Sequence, residues 1–73
     1  MENPVARYLE KHPDDKAWKL AKRAGLAGMT VYKILHGRSA YIRPETMTRL
    51  VEGSNGKIKL ADLQAYNMAM AGQ

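Results

Sequence analysis

Residues 17–38 read AWKLAKRAGLAGMTVYKILHGR, and their pattern decides the architecture. Leu20, Ala21 and Ala24 stand at i, i+1 and i+4, one face of a short helix. Gly25 follows, the residue type best able to take the left-handed conformation just past a helix end. Leu26 then carries the chain inward across a short connection. A second helical pattern starts near Gly28, with Val31, Ile34 and Leu35 on one face, and Gly37 closes it as a second C-terminal glycine. The stretch predicts two short helices joined by a tight turn that contains glycine.

The flanks supply three more helices. Asn3-Pro4 is a start signal, a capping side chain followed by proline at the first helical position. Val5, Tyr8 and Leu9 give the first helix, about residues 4–12, its apolar face, and His12-Pro13 ends it because the residue before proline leaves the α region. Asp14 or Asp15 is expected to cap the helix that contains Leu20, each favouring its N-terminal dipole. Trp18, the one tryptophan, is expected to anchor the core against the first or the last helix. Pro44 and Glu45 open a fourth helix with Met47, Leu50 and Val51 inward, and Gly53 is expected to stop it. Ser54-Asn55-Gly56 is a turn cluster, Ile58 a hydrophobic plug, and Leu60, Leu63, Tyr66 and Asn67 continue as a fifth helix. The tail, residues 68–73, has no strong pattern and is expected to be frayed or used in a partner contact.

Seventy-three residues make one small domain, burying about 60% of its unfolded surface. Without cysteine there is no disulfide, no thiolate metal site and no thiol nucleophile. No apolar run reaches transmembrane length and no signal-peptide core is present, so a cytoplasmic location is expected. The net charge of +5 is unevenly spread: residues 16–43 hold seven basic side chains (Lys16, Lys19, Lys22, Arg23, Lys33, Arg38, Arg43) and no acidic one. The remainder holds five basic and seven acidic residues, so +7 in the middle faces −2 elsewhere. A solvated face normally mixes signs; an unmixed block over the two-helix stretch is a footprint for a polyanion.

Two short helices joined by a glycine-containing turn of three or four residues have the helix-turn-helix geometry. The run resembles the helix-turn-helix of the phage Cro and repressor family of DNA-binding domains, with Leu20, Ala21, Gly25, Val31 and Ile34 at the family's hydrophobic, small, turn and buried aliphatic positions. Residues 3–66 are similar to the family's five-helix plan, and 17–38 carry the distinctive match. The resemblance implies an all-α, compact five-helix, lambda repressor-like domain with the motif at residues 16–37, in helices 2 and 3. It also implies sequence-specific binding of double-stranded DNA by a Cro-like phage or prophage repressor, acting as a homodimer on a pseudo-palindromic operator. A chain of this length leaves no room for a ligand-sensing or self-cleaving domain, which favours a Cro-like protein over a full repressor.

The major groove admits one α-helix, read by residues near its N-terminus. With Val31, Ile34 and Leu35 inward, the candidates for base reading are Gly28, Met29, Tyr32 and Lys33; by resemblance Gly28, Met29 and Lys33 match the family's reading positions. Lys33 suits guanine N7 or O6, Met29 a thymine methyl, Tyr32 a base or a phosphate. Many relatives carry polar side chains at Ala27, Gly28 and Met29, so this chain is expected to lean more on apolar contact or DNA shape. Phosphate candidates are Lys16, Ala17 and Lys19 at the start of the second helix, and Arg38, Ser39, Tyr41 and Arg43 after the third. His36 either joins them or is a plain surface or capping histidine. Lys22 and Arg23 are expected to act at longer range, and Trp18 is expected in the core rather than stacked on DNA.

Other chemistries are poorly served. His12 with Asp14 and Asp15 is explained by proline and capping, and Gly53-Ser54-Asn55-Gly56-Lys57 lacks the spacing of a phosphate loop. No enzymatic activity, metal or cofactor is expected. The rival readings are an antitoxin or regulator working through a protein partner, and a basic helical protein binding membranes or RNA without sequence preference. The segment with Leu63, Tyr66, Met68 and Met70 is either a dimer contact or, for Leu63 and Tyr66, the completion of the core.

Overall fold

The computed structural model describes residues 3–38 and 41–71. Asn3 caps the first helix, α1 (Pro4–Lys11), its Oδ1 accepting the Val5 and Ala6 N–H groups at 3.0 and 3.2 Å. Then come α2 (Ala17–Ala24), α3 (Gly28–Leu35), α4 (Pro44–Gly53) and α5 (Leu60–Ala71), with no strand among the described residues. The helices form a globule of about 32 × 22 × 20 Å. At eight residues each, α1, α2 and α3 are too short to persist alone, so packing holds them. Their apolar faces meet in one core of Val5, Leu20, Val31, Leu50, Leu63 and their neighbours, closed by Ile42 and Ile58 from the connections.

The α2–α3 connection forms as its sequence predicts. Gly25 is left-handed (φ 70°), its N–H and that of Leu26 return to the last carbonyls of α2, and Leu26 packs partly buried on the core. On its other side α2 meets α4 with no space to spare. A Cβ on Gly53 would lie 2.8 Å from the Ala24 Cβ and 3.0 Å from the Ala24 backbone. Gly53 therefore belongs to α4, where it permits this approach, rather than stopping it. The reversal comes after Ser54, at Asn55 (φ 56°) and Gly56 (φ 78°). The buried Ser54 hydroxyl donates to Val51 O and accepts the Ile58 N–H, which seats the hydrophobic plug.

Several expectations are corrected. Trp18 is 62% exposed, not a core anchor; the buried aromatic volume comes from Tyr8 on α1 and Tyr66 on α5. Neither Asp14 nor Asp15 is the cap of α2. Lys16 holds that position without a side-chain bond, while Asp15 turns back to accept the Lys16 N–H and the Arg23 guanidinium. Residues 68–71 are helical rather than frayed, because Met70 and buried Asn67 hold α5 against the core. Leu63 and Tyr66 complete that core and are not available to a dimer contact; Leu60 and Met68 are exposed.

Arg23, Asp15 and Tyr8 form a polar tie on the flank of the core. Arg23 Nε donates to Gly53 O at 2.9 Å, its Nη1 reaches Asp15 Oδ1 at 3.1 Å, and the Tyr8 hydroxyl donates to Asp15 Oδ2 at 2.6 Å. The Arg23 hydrogen bonds, outweighing partial burial, hold the Asp15 carboxyl down at about 2, below its ordinary 3.8, while burial pushes the Tyr8 phenol up. Because the folded value lies below the unfolded one, this carboxylate stabilises the fold fully above about pH 4 and loses that contribution as pH falls toward 2. Urea denaturation between about pH 5 and 2 is expected to show the native chain losing about 1–2 kcal/mol more than Asp15→Asn, the half-exposed Arg23 tempering the effect. Parallel pH profiles for the two proteins would contradict this assignment.

Candidate nucleic-acid interface

Alternation of burial along α3 sorts its residues into two faces. Val31 and Ile34 are buried, and Leu35 packs partly buried beside them. Gly28, Met29, Tyr32, Lys33 and His36 are exposed, a stripe that carries no acidic side chain. Met29 is 61% exposed, a large apolar side chain held in water at the start of the helix. Gly28 has nothing within 4 Å of the place a Cβ would occupy, so the helix start is bare on that side. Tyr32 and His36, one turn apart, lie with ring centroids 4.3 Å apart and planes tilted by 53°. His36 is the C-terminal cap of α3, where its backbone N–H returns to Tyr32 O, so capping and outward presentation coexist.

Both helices of the pair begin without a side-chain cap, at Lys16 for α2 and Ala27 for α3. A cap would have occupied backbone N–H groups of the first turn, and these groups suit an anion. Lys16 and Lys19 are exposed around the start of α2; Ala17 is partly buried on the core and offers backbone alone. Lys22 is exposed one turn further on. Arg23 is committed to Asp15 and Gly53, a structural role in place of the expected long-range one.

The chain after α3 folds back along it. Gly37 is left-handed (φ 67°), and the Arg38 N–H returns to Lys33 O at 2.8 Å, leaving the Arg38 side chain exposed. Ser39 lies outside the described residues. Tyr41 and Arg43 are exposed and flank Ile42, which is buried. With Thr30 and Ile34 of α3 and Thr46 of α4, residues 41–43 line a pocket of about 210 Å³, so Tyr41 and Arg43 stand close to the first turns of both helices.

One buried amide fixes that segment. Asn67 Oδ1 accepts the Ile42 N–H at 2.8 Å and Asn67 Nδ2 donates to Ile42 O at 2.7 Å. A second amide fixes the far end of α3, where Asn3 Nδ2 donates to Ile34 O at 2.6 Å while its oxygen caps α1. Neither link was read from the sequence, which marked Asn3 as a cap and Asn67 as a helix residue. A polar residue on the inward face of α5 was the available sign.

The chain matches no family model, no curated protein and no solved structure. Among the described residues no group of three or more His, Cys, Asp or Glu is placed to hold a metal, and no helix is long and apolar enough to cross a membrane. His12 is occupied by its own helix: Nδ1 donates to Tyr8 O at 2.8 Å and the ring stacks on Tyr8.

Asn67→Ala is expected to leave both main-chain groups of Ile42 buried without partners, lowering stability by about 2–4 kcal/mol. Hydrogen exchange at the Ile42 amide should accelerate in the variant. A protected Ile42 amide in Asn67→Ala would show that another group anchors the segment.

Proposed function

We propose that α2, the 25–27 connection and α3 form a helix-turn-helix of the Cro and repressor kind, through which the protein binds double-stranded DNA in a sequence-specific manner and regulates transcription. The observation that carries this reading is the outward stripe of α3, free of acid, together with exposed basic side chains in the segments before and after it in the chain, Lys16 and Lys19 at the start of α2 and Arg38 and Arg43 after α3. Duplex DNA is the partner that combines a groove wide enough for one helix with two rows of phosphates beside it.

In this reading α3 enters the major groove by its N-terminal half. The Lys33 ammonium donates to guanine N7 or O6, and the Met29 thioether packs on a thymine methyl. Tyr32 lies between base edge and backbone, and Gly28, lacking a side chain, lets the helix approach closely. Lys16, Lys19, Arg38, Arg43, the Tyr41 hydroxyl and the backbone at Ala17 take phosphates, with His36 beside them. The apolar, partly bare helix start makes DNA shape a larger part of recognition than amide-to-adenine bonding. Two copies on a pseudo-palindrome would set their α3 helices about 34 Å apart, and bound operator would exclude polymerase. With Leu63 and Tyr66 in the core, Met68 and Leu60 are the large apolar side chains exposed on α5 for pairing the copies.

Selection from random duplexes at fixed salt tests the proposal. An enriched pseudo-palindrome with half-sites about one helical turn apart is expected; recovery no better than scrambled competitors would overturn it. Lys33→Ala is expected to relax preference at one base pair per half-site by about 1–3 kcal/mol and to leave the others in place. Arg43→Ala should instead weaken all duplexes alike and flatten the dependence of log K on log salt by about one unit. A salt slope identical to that of the native chain would put Arg43 off the interface.

A further inference from the structure

Trp18 is the tryptophan of a 73-residue chain, and the structure leaves it 62% exposed on α2. An aromatic of that size in water forgoes most of the benefit of its burial. The Lys19 ammonium lies 5.6 Å from the ring centroid, within cation–π range. Lys22 is four residues on and shares the Trp18 face of the helix. The face that α2 turns toward α4 is marked by Ala24 against Gly53 and by Arg23 bonded to Gly53 O. At about 100° per residue, Trp18 lies about 120° round the axis from Ala24 and about 140° from Arg23, well away from α4. The nearest acidic side chain in sequence, Asp15, has its charge engaged by Arg23 and Tyr8.

We propose that Trp18, together with Lys19 and Lys22, is a further contact to the sugar–phosphate backbone of the bound duplex, the indole N–H donating to a phosphate oxygen and the ring covering a deoxyribose. The inference rests on the DNA-binding reading above. Charge complementarity chooses the occupant: an indole beside Lys19 and on the same helix face as Lys22 suits a polyanion with an apolar sugar between its charges, whereas a protein surface would have to bring its own carboxylates. The contact carries no base information. Its role is to fix the angle at which α2, and with it α3, sits on the duplex. A neutral indole displaces no counterion, so it strengthens binding without steepening the salt dependence.

The single tryptophan makes the test direct. A labelled duplex of arbitrary sequence at low salt reports binding through its anisotropy, while acrylamide quenching of Trp18 reports exposure of the ring. Shielding of Trp18 in step with duplex binding is expected. Trp18→Ala should weaken binding about tenfold, the scale of one hydrogen bond to a charged group, at unchanged melting temperature and unchanged salt slope. Lys19→Ala should flatten the slope by about one unit. Binding with undiminished quenching would overturn the Trp18 contact and leave the DNA-binding reading intact. Native affinity in Trp18→Ala with a defect confined to transcription assays would assign the ring to a protein partner instead. No duplex binding at any salt would sink the functional reading itself.

Discussion

The carboxamide of Asn67 does for this molecule what a strand pairing does in a sheet. The chain between α3 and α4 is non-helical where it is described, yet Ile42 within it is buried, and a buried peptide must find a donor and an acceptor. Asn67, buried on α5, supplies both at once. Main-chain satisfaction and side-chain burial thus reinforce one another: the amide is worth most where water is excluded, and Ile42 excludes it. Tyr41 and Arg43, on either side of Ile42 and close to Thr30 of α3, take their positions from this link.

Two other polar ties work on the same principle at the other corners. Asn3 spends its oxygen on the first turn of α1 and its nitrogen on the last carbonyls of α3, joining the beginning of one helix to the end of another. Arg23 joins the body of α2 to the end of α4 and to the connection that precedes α2. Helices of eight residues gain little from their own hydrogen bonds. They are held because a shared core removes their apolar faces from water and because their ends are stitched to neighbours. No buried side-chain nitrogen or oxygen among the described residues lacks a partner.

Much of this plan was legible in the sequence because the signals were local. Asn3-Pro4, Gly25, Gly37 and Pro44 each mark a helix boundary by their own backbone chemistry, and the spacing of Leu20, Ala21 and Ala24 or of Val31 and Ile34 gives the inward faces directly. The links that fix the candidate interface were not legible, because their partners lie far apart: 25 residues for Ile42 and Asn67, 31 for Asn3 and Ile34, 30 for Arg23 and Gly53. Trp18 failed for a different reason. Size and hydrophobicity argued for burial, but Trp18 stands on the side of α2 turned away from buried Leu20 and Ala24, and the buried aromatic volume is supplied by Tyr8 and Tyr66 instead. Gly53 was misjudged likewise, since its value lies in the proximity of Ala24 and not in its own torsion angles.

Gly28 opens α3 with a hydrogen where other residues carry a side chain, and the space beyond it is empty. Its backbone is ordinary helix, so the fold places no demand on glycine there, and nearly any residue would fit without displacing a neighbour. That leaves one position on the exposed stripe that can vary independently of stability, while Val31 and Ile34 behind it cannot. A lineage carrying this scaffold could change the chemistry of its exposed stripe by single exchanges at this site, each leaving the interior untouched.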